Sequence, residues 1–362
     1  MKRLALFLPS GFFAIASLVV VSSCSSSSVA MPAAGAGRGL QAPSSTAERI
    51  EVKEFNDLVR GSSSDIFEPT NLTAGPDGAL WVLDNADPDY GESAVVRIST
   101  SGRRTHTYFF SGLTRSGGSY LGDITAGPDG ALWLTDSYND EILRLGVRGR
   151  YRRFPLGADG TLGGIVSGPD KALWATENFG TDADVVRITT QGAVTSYSTT
   201  GNLLDIASGS DGALWFTDFD NGRIGRITTA GKITWYSKGL SSGAKPESIA
   251  PGPDGALWFT DEIGRIGRIT THGQITEYSG GITQTERPQD LVAGPDGAMW
   301  FTEFDFSYAG DAKIGRITMQ GGITEYSKIN PVSGPTGIAK GLKGDLWFVE
   351  TNTNEVGRLR IR

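Results

Sequence analysis

The chain predicts an all-β fold: a seven-bladed β-propeller of four-stranded antiparallel blades. Three observations predict it. The heptapeptide Gly-Pro-Asp-Gly-Ala-Leu-Trp, or a close variant, recurs with copies ending at Trp81, Trp133, Trp174, Trp215, Trp258, Trp300 and Trp347, 41–52 residues apart. Self-similarity at this pitch marks a solenoid, an array or a propeller. Each copy is embedded in four short β-type runs without helical i, i+3, i+4 spacing. The last copy is one run short, and a matching run precedes the first.

The repeat around Trp258 shows each element in order. Ser248-Ile249-Ala250 is an apolar first strand that leads into Gly252-Pro253-Asp254-Gly255, a turn with Pro presetting φ and Gly closing it. Ala256–Asp261 is rich in aromatic and β-branched residues and forms the second strand. Its consecutive apolar residues Leu257, Trp258 and Phe259 imply a sheet covered on both faces, as in blades packed around an axis. Arg265–Thr270 is the third strand, His272-Gly273 a turn, and Gln274–Ser279 an alternating fourth strand. Four strands in 40–45 residues suit a propeller blade, whereas a β-helix needs much shorter repeats.

The termini supply the closure. The seventh unit ends on Glu355–Arg360, a third strand, and the chain stops two residues later. Ile50–Phe55 resembles a fourth strand such as Ile323–Tyr326, so it is expected to complete the last blade and remove two open edges. Residues 49–362 are thus expected to form one propeller domain.

Ahead of it, Met1-Lys2-Arg3 and the apolar stretch Leu4–Val21 read as a signal peptide over 1–23. The only cysteine, Cys24, follows in Val21-Ser22-Ser23-Cys24, which resembles a bacterial lipobox, so the chain is expected to be exported and lipid-anchored at Cys24, or else freely secreted. Residues 24–48, rich in Ser, Ala and Gly, read as a flexible tether. The net charge of −7, with Lys and Arg dispersed, argues against nucleic acid as a partner. A monomer is expected.

Two sets of charges repeat. The residue three after each repeat tryptophan is acidic: Asp84, Asp136, Glu177, Asp218, Asp261, Glu303 and Glu350. Every third strand carries an arginine: Arg97, Arg144, Arg187, Arg226, Arg268, Arg316 and Arg358. Neighbouring strands are expected to bring the two sets together. A feature present in every blade serves what blades share, an ion pair or a cap on backbone N–H groups, although one or two ring members could be specialised for a divalent cation. Irregular aromatics on the same face, Tyr90, Tyr120, Tyr138, Phe179, Phe219, Phe304, Phe306 and Tyr308, suit a small, partly apolar ligand at the channel mouth, or else pack against one another over the loops.

The repeats Ala-Leu-Trp-Phe-Thr-Asp/Glu, Ile-Gly-Arg-Ile-Thr and Gly-x-Ile-Thr-Glu-Tyr strongly resemble those of the streptogramin B lyases, also called virginiamycin B lyases, from Arg49 to Arg362. The resemblance implies a seven-bladed propeller that opens a cyclic depsipeptide at its ester by elimination, with magnesium and a histidine base. Position by position, the site residues it implies are mostly replaced. A histidine after the proline opening the sixth blade is here Gln289, following Pro288, and the motif Glu-Pro-His-Gly of the last blade is Gly334-Pro335-Thr336-Gly337. The acid after the last tryptophan persists as Glu350, which with Glu303 is the expected metal ligand. Neither Gln289 nor Thr336 can serve as a base near neutral pH. The two histidines, His106 and His272, fall on an outer strand and a turn of the opposite face. The expectation is therefore a binding propeller for a small molecule or cyclic peptide. Two alternatives are a metal-dependent C–O lyase or lactonase using a carboxylate base (Glu303, Glu350 or Glu247), and a cell-surface interaction platform. Calcium-dependent lactonase propellers set carboxylates and asparagines around a metal, and Asn71, Asn178 and Asn202 keep that class, and calcium, open.

Overall fold

The computed structural model describes residues 50–55, 68–85, 93–110, 120–305, 312–327, 329–341 and 343–362. They form seven four-stranded antiparallel sheets, with no helix among the described residues. Blades 1 to 6 comprise residues 69–109, 121–155, 161–200, 203–236, 246–278 and 286–326. Blade 7 comprises 335–361 and, as its outermost strand, Ile50–Phe55. That strand runs antiparallel to Glu355–Ile361, with Ile50 opposite Ile361 and Phe55 opposite Val356. The first strand of each blade touches the first strands of both neighbours, and blade 1 touches blade 7, so the innermost strands line a closed ring.

The core lies between blades and is built on the repeat tryptophans, six of them fully buried. Each is stacked by the aromatic residue of its fourth strand, as Trp215 is by Tyr236 at 5.4 Å. In blade 7 the N-terminal strand supplies this partner: Phe55 stacks on Trp347 at 5.5 Å. The same ring leaves no space for a side chain at Gly102 of blade 1, whose φ of +82° also favours glycine. One aromatic thereby joins the closing strand, the last blade and the first.

Burying an indole N–H requires an acceptor. The aspartate of the Gly-Pro-Asp-Gly turn provides it: Trp215 Nε1 donates to Asp211 Oδ1 at 3.1 Å, and Arg226 Nε donates to Asp211 Oδ2 at 2.7 Å. Asp77, Asp129, Asp170, Asp254 and Asp296 repeat the clasp in blades 1, 2, 3, 5 and 6. This corrects the expected pairing of the third-strand arginines with the acids that follow the tryptophans. Each arginine lies directly opposite its tryptophan, as Arg226 does Trp215, and so shares its face. An acid three residues further on points to the other face, because strand side chains alternate.

Every first strand carries a β-bulge, between Pro69 and Leu72, Leu121 and Ile124, Leu162 and Ile165, Leu203 and Ile206, Pro246 and Ile249, Pro288 and Leu291, and Pro335 and Ile338. A bulge re-aims side chains and is common beside functional sites. Here it gives each blade two irregular residues on the innermost strand.

Candidate functional site at the channel mouth

The second bulge residue of each blade is, in order, Asn71, Asp123, Gly164, Asp205, Ser248, Asp290 and Gly337. These residues form a belt of hydrogen bonds between blades. Asp123 accepts from Asn71 Nδ2 at 2.8 Å on one side and from the Ile165 N–H at 2.7 Å on the other. Asp205 accepts from the Ile249 N–H and Asp290 from the Ile338 N–H, while Ser248 Oγ lies between them, 2.9 Å from Asp205 Oδ2 and 2.8 Å from Asp290 Oδ1, its one proton serving one carboxyl at a time. The glycines alternate with the acids because a Cβ on Gly164 would come within 2.5 Å of Asp205 Oδ1. Burial first, then the charge of Asp205, pushes Asp123 up to about 8, against the pull of the Ile165 and Ile124 N–H groups. Burial pushes Asp290 up to about 6, against the Ile338 N–H. Sequence reasoning missed this belt. The alternation of acid and small residue at one repeat position was its signal.

The seven acids that follow the tryptophans are all buried, and they divide by length. The four aspartates cap backbone N–H groups: Asp84 that of Glu68, Asp136 those of Tyr138 and Asn139, Asp218 that of Asn202, and Asp261 those of Lys245 and Ile263. The glutamates, one methylene longer, do not. Both carboxylate oxygens of Glu303 and of Glu350, and Oε1 of Glu177, lack a hydrogen-bond partner. An uncompensated buried charge is costly, so these carboxyls titrate high. Burial, then the charges of Glu325 and Glu286, pushes Glu303 up to about 9, against nearby Lys313. Glu350 is pushed up to about 8 by burial first and then by the charges of Glu54 and Glu355, against the pull of the nearby Ser333 hydroxyl.

The first bulge residues of blades 5, 6 and 7 are Glu247, Gln289 and Thr336, equivalent positions on neighbouring innermost strands. Thr336 Oγ1 is engaged by Thr351 Oγ1 at 3.0 Å and by the Thr70 carbonyl at 3.3 Å. Gln289 receives a hydrogen bond from Thr260 on its backbone carbonyl. Glu247 is half-buried, and its carboxyl is pushed up to about 8, by burial and then by the charges of Glu262 and Asp290, with Arg287 opposing.

Of the predicted mouth aromatics, Tyr138 is 59% exposed and Tyr120 43%. They lie together, since the N–H of Ser137 donates to the Tyr120 carbonyl at 2.9 Å. Phe219 is instead buried beneath Lys245, whose Nζ lies 4.7 Å from the ring centroid. Phe179 lies against Gly160 and Phe304 against Gly334. Blade 3 has no long loop at Phe179: its second strand extends to that residue and its third begins at Asp182. Tyr90, Phe306, Tyr308 and Cys24 lie outside the described residues. The asparagines do not converge on one point. Asn178 exchanges two hydrogen bonds with the Leu203 backbone, Asn71 donates to Asp123, and the Asn202 N–H donates to Asp218. His106 and His272 are exposed, on a fourth strand and in the turn before another.

Whether the implied magnesium fits rests on Gly334, which stands where the resemblance calls for an acidic ligand. Its φ is +60°, and a Cβ there would come within 2.5 Å of Asn352 Nδ2 and 2.7 Å of Phe304 Cε2. The space a glutamate stem needs is filled. Of the two implied acids only Glu350 remains, and the residues present do not fit that ion at that place.

Residues 58–237 and 164–362 match the family model described as the virginiamycin B lyase family. A solved streptogramin B lyase structure is 30% identical, covering 86% of this chain and 98% of its own, with a TM-score of 0.72. A catalytically inactive histidine-to-alanine variant of virginiamycin B lyase from Staphylococcus aureus, crystallised with quinupristin, is also 30% identical, covering 87% of this chain and all of its own, with a TM-score of 0.73. Among curated proteins, none matches.

Proposed function

The chain belongs to the virginiamycin B lyase family, and on that premise we propose that it is an exported propeller that binds a small, partly apolar ligand, a cyclic peptide or ester, at its channel mouth. In this reading it does not carry out histidine-based elimination. The observation that supports it is the pair Gln289 and Thr336 on adjacent innermost strands, where the resemblance calls for histidines. A glutamine takes up no proton, and the Thr336 hydroxyl is already engaged by Thr351 and Thr70. The exposed pair Tyr120 and Tyr138 offers the ligand an amphipathic surface.

Calorimetric titration of the purified chain with streptogramin B depsipeptides, other cyclic peptides and lactones tests this, alongside chromatography for a linearised product. Binding that weakens in Tyr138→Ala, with no product, is the expected result. A linear product would overturn the reading. Stable co-purification of a cell-surface protein, without small-molecule binding, would favour an interaction platform instead.

A second reading is favoured by Glu247. It occupies the same bulge position in blade 5, and a carboxyl raised to about 8 exchanges its proton in the mildly alkaline range, where its ionised form can act as a proton acceptor. This reading is a lyase or lactonase using a carboxylate base, and it predicts turnover that Glu247→Gln abolishes while ligand affinity persists.

Export rests on the leader Met1–Val21 and on Cys24. A lipid-modified Cys24 at the mature N-terminus, found by mass spectrometry of the membrane fraction, would support the anchor. An unmodified, soluble mature chain would exclude it.

A further inference from the structure

The third-strand arginines are spread around the whole ring, but the exposed cations are not. The fourth-strand residue directly opposite that arginine is a threonine in blades 3 to 6: Thr195, Thr234, Thr276 and Thr324. In blades 7, 1 and 2, which are consecutive, it is instead Lys53, His106 and Arg152, all exposed.

The turns between third and fourth strands repeat the bias. In each, a glycine packs on the fourth-strand aromatic of the preceding blade, Gly102 on Phe55 and Gly149 on Tyr108. Arg103 and Arg104 follow the first of these glycines, and Arg148 and Arg150 flank the second; all four are exposed. Blades 3 to 6 have no arginine and one lysine, Lys232, in the equivalent turns. The packing joins the cations of three blades into one band, for Lys53 lies over Phe55 at 4.7 Å and His106 stacks on Tyr108 at 5.9 Å. Residues 93–110 hold three arginines and no acid, and residues 142–158 five arginines and no acid, in a chain of net charge −7. The nearby acids Asp77, Asp129, Asp345 and Glu51 are each paired with an arginine.

Two further observations bear on what lies against the band. Its turns sit at the opposite end of each antiparallel blade from the second-to-third-strand loops of the channel mouth. The N-terminal segment joins the propeller at that same end, since Ile50 pairs with Ile361 where other blades have this turn. Tyr151, between Arg150 and Arg152, is 44% exposed, and an aromatic ring with a polar tip suits the headgroup level of a membrane.

We propose that this band docks the propeller on an anionic lipid surface, with the channel mouth facing away from it. Lysine and arginine are attracted to such a surface, and a single acyl chain holds a protein only marginally unless a polybasic patch adds to it. The chain leading from Cys24 enters beside the band, so both attachments act on one end of the molecule. The choice of a membrane over a nucleic acid rests on export; the band itself does not.

The test is co-sedimentation of the full chain carrying Cys24→Ser, which cannot be lipidated, with vesicles of phosphatidylcholine alone and of phosphatidylcholine mixed with phosphatidylglycerol. Any contribution from the apolar leader is common to both, so the band is read from their difference. The expected result is binding to the anionic vesicles at least about tenfold tighter at ~0.1 M salt, lost toward ~1 M, where the screening length falls from about 10 to about 3 Å. Arg148→Gln and Arg150→Gln together should weaken that binding at least about tenfold, because each cation near such a surface contributes about fivefold. Lys53→Gln and Arg152→Gln together should do the same, so a folding failure of one pair leaves the other as the test. Lys232→Gln, in the equivalent turn of blade 4, should bind as the parent chain does. Equal binding to both vesicles, binding that survives high salt, unaltered affinity in both double variants, or a double-stranded oligonucleotide bound more tightly than the anionic vesicles would overturn the proposal. An unmodified Cys24 in the native chain would remove the anchor and leave the vesicle result standing.

Discussion

Replacing Asp211 by alanine removes one acceptor from two donors at once. Trp215 Nε1 loses its bond at 3.1 Å, and Arg226 Nε its contact at 2.7 Å. The indole is fully buried, so its N–H is left unpaired at a cost of about 1–3 kcal/mol. The ion pair is about one-fifth exposed on each side and adds no more than about 1 kcal/mol. The total, about 2–4 kcal/mol, should lower Tm by on the order of 3–6 °C for a domain of this size. Asp211→Asn keeps a carbonyl oxygen for the indole and loses only the charge, so its loss should be about 1 kcal/mol or less. Differential scanning calorimetry at pH 7 measures both. The pH dependence has a definite sign. Burial acts to raise the Asp211 carboxyl, but its bonds to Trp215 and Arg226 outweigh it and hold the carboxyl below its ordinary value. The stabilisation is therefore present above the unfolded-state pKa and is lost as pH falls through the folded one, so the gap between parent and Asp211→Ala should narrow toward pH 3. Blade 7 is an internal control, because Lys343 occupies the equivalent place and is exposed; Lys343→Ala should change stability by less than about 0.5 kcal/mol. An Asp211→Ala protein that melts within a degree of the parent, or an Asp211→Asn protein as unstable as Asp211→Ala, would refute the clasp as a source of stability.

Phe55→Ala removes the stack on Trp347 and the contact over Gly102, and should cost about 2–3 kcal/mol, with faster hydrogen exchange across Ile50–Phe55. Gly164→Ala should destabilise by about 1–3 kcal/mol because the new methyl meets Asp205 Oδ1 at 2.5 Å and Asp205 Cα at 3.0 Å, whereas Gly280→Ala, which meets nothing within 4 Å, should stay within about 0.5 kcal/mol in urea unfolding. The channel belt gives the opposite pH slope to the tryptophan clasp. Asp123 and Asp290 are raised to about 8 and about 6, so the folded chain holds protons that the unfolded chain releases above about 4. Their contribution is therefore largest below pH 4 and is lost as pH rises toward 8, and the urea midpoint should fall between pH 5.5 and pH 8.

The blade count, the strand order and the closing strand were all legible because they depend on local pattern. The heptapeptide fixes a turn and a doubly covered strand wherever it occurs, and the unmatched strand at each end leaves one way to remove both edges. The partner of the third-strand arginines was legible in principle. Trp215 and Arg226 face each other across two strands, and Asp218, three residues from Trp215, has opposite parity. The difference between capping and uncapped acids was also written, as Asp against Glu, but its meaning depends on which backbone N–H groups come within reach.

Sequence alone thus determined the architecture, since each blade is specified by contacts within about forty residues and the ring follows from repetition. Only the tertiary structure decided the site. Glu54 and Glu350 meet across most of the length of the chain. The belt residues bond to blades some forty residues away, and Gly334 is closed by side chains from two different blades. Such contacts are set by how strands are placed around an axis, and no local spacing encodes that placement.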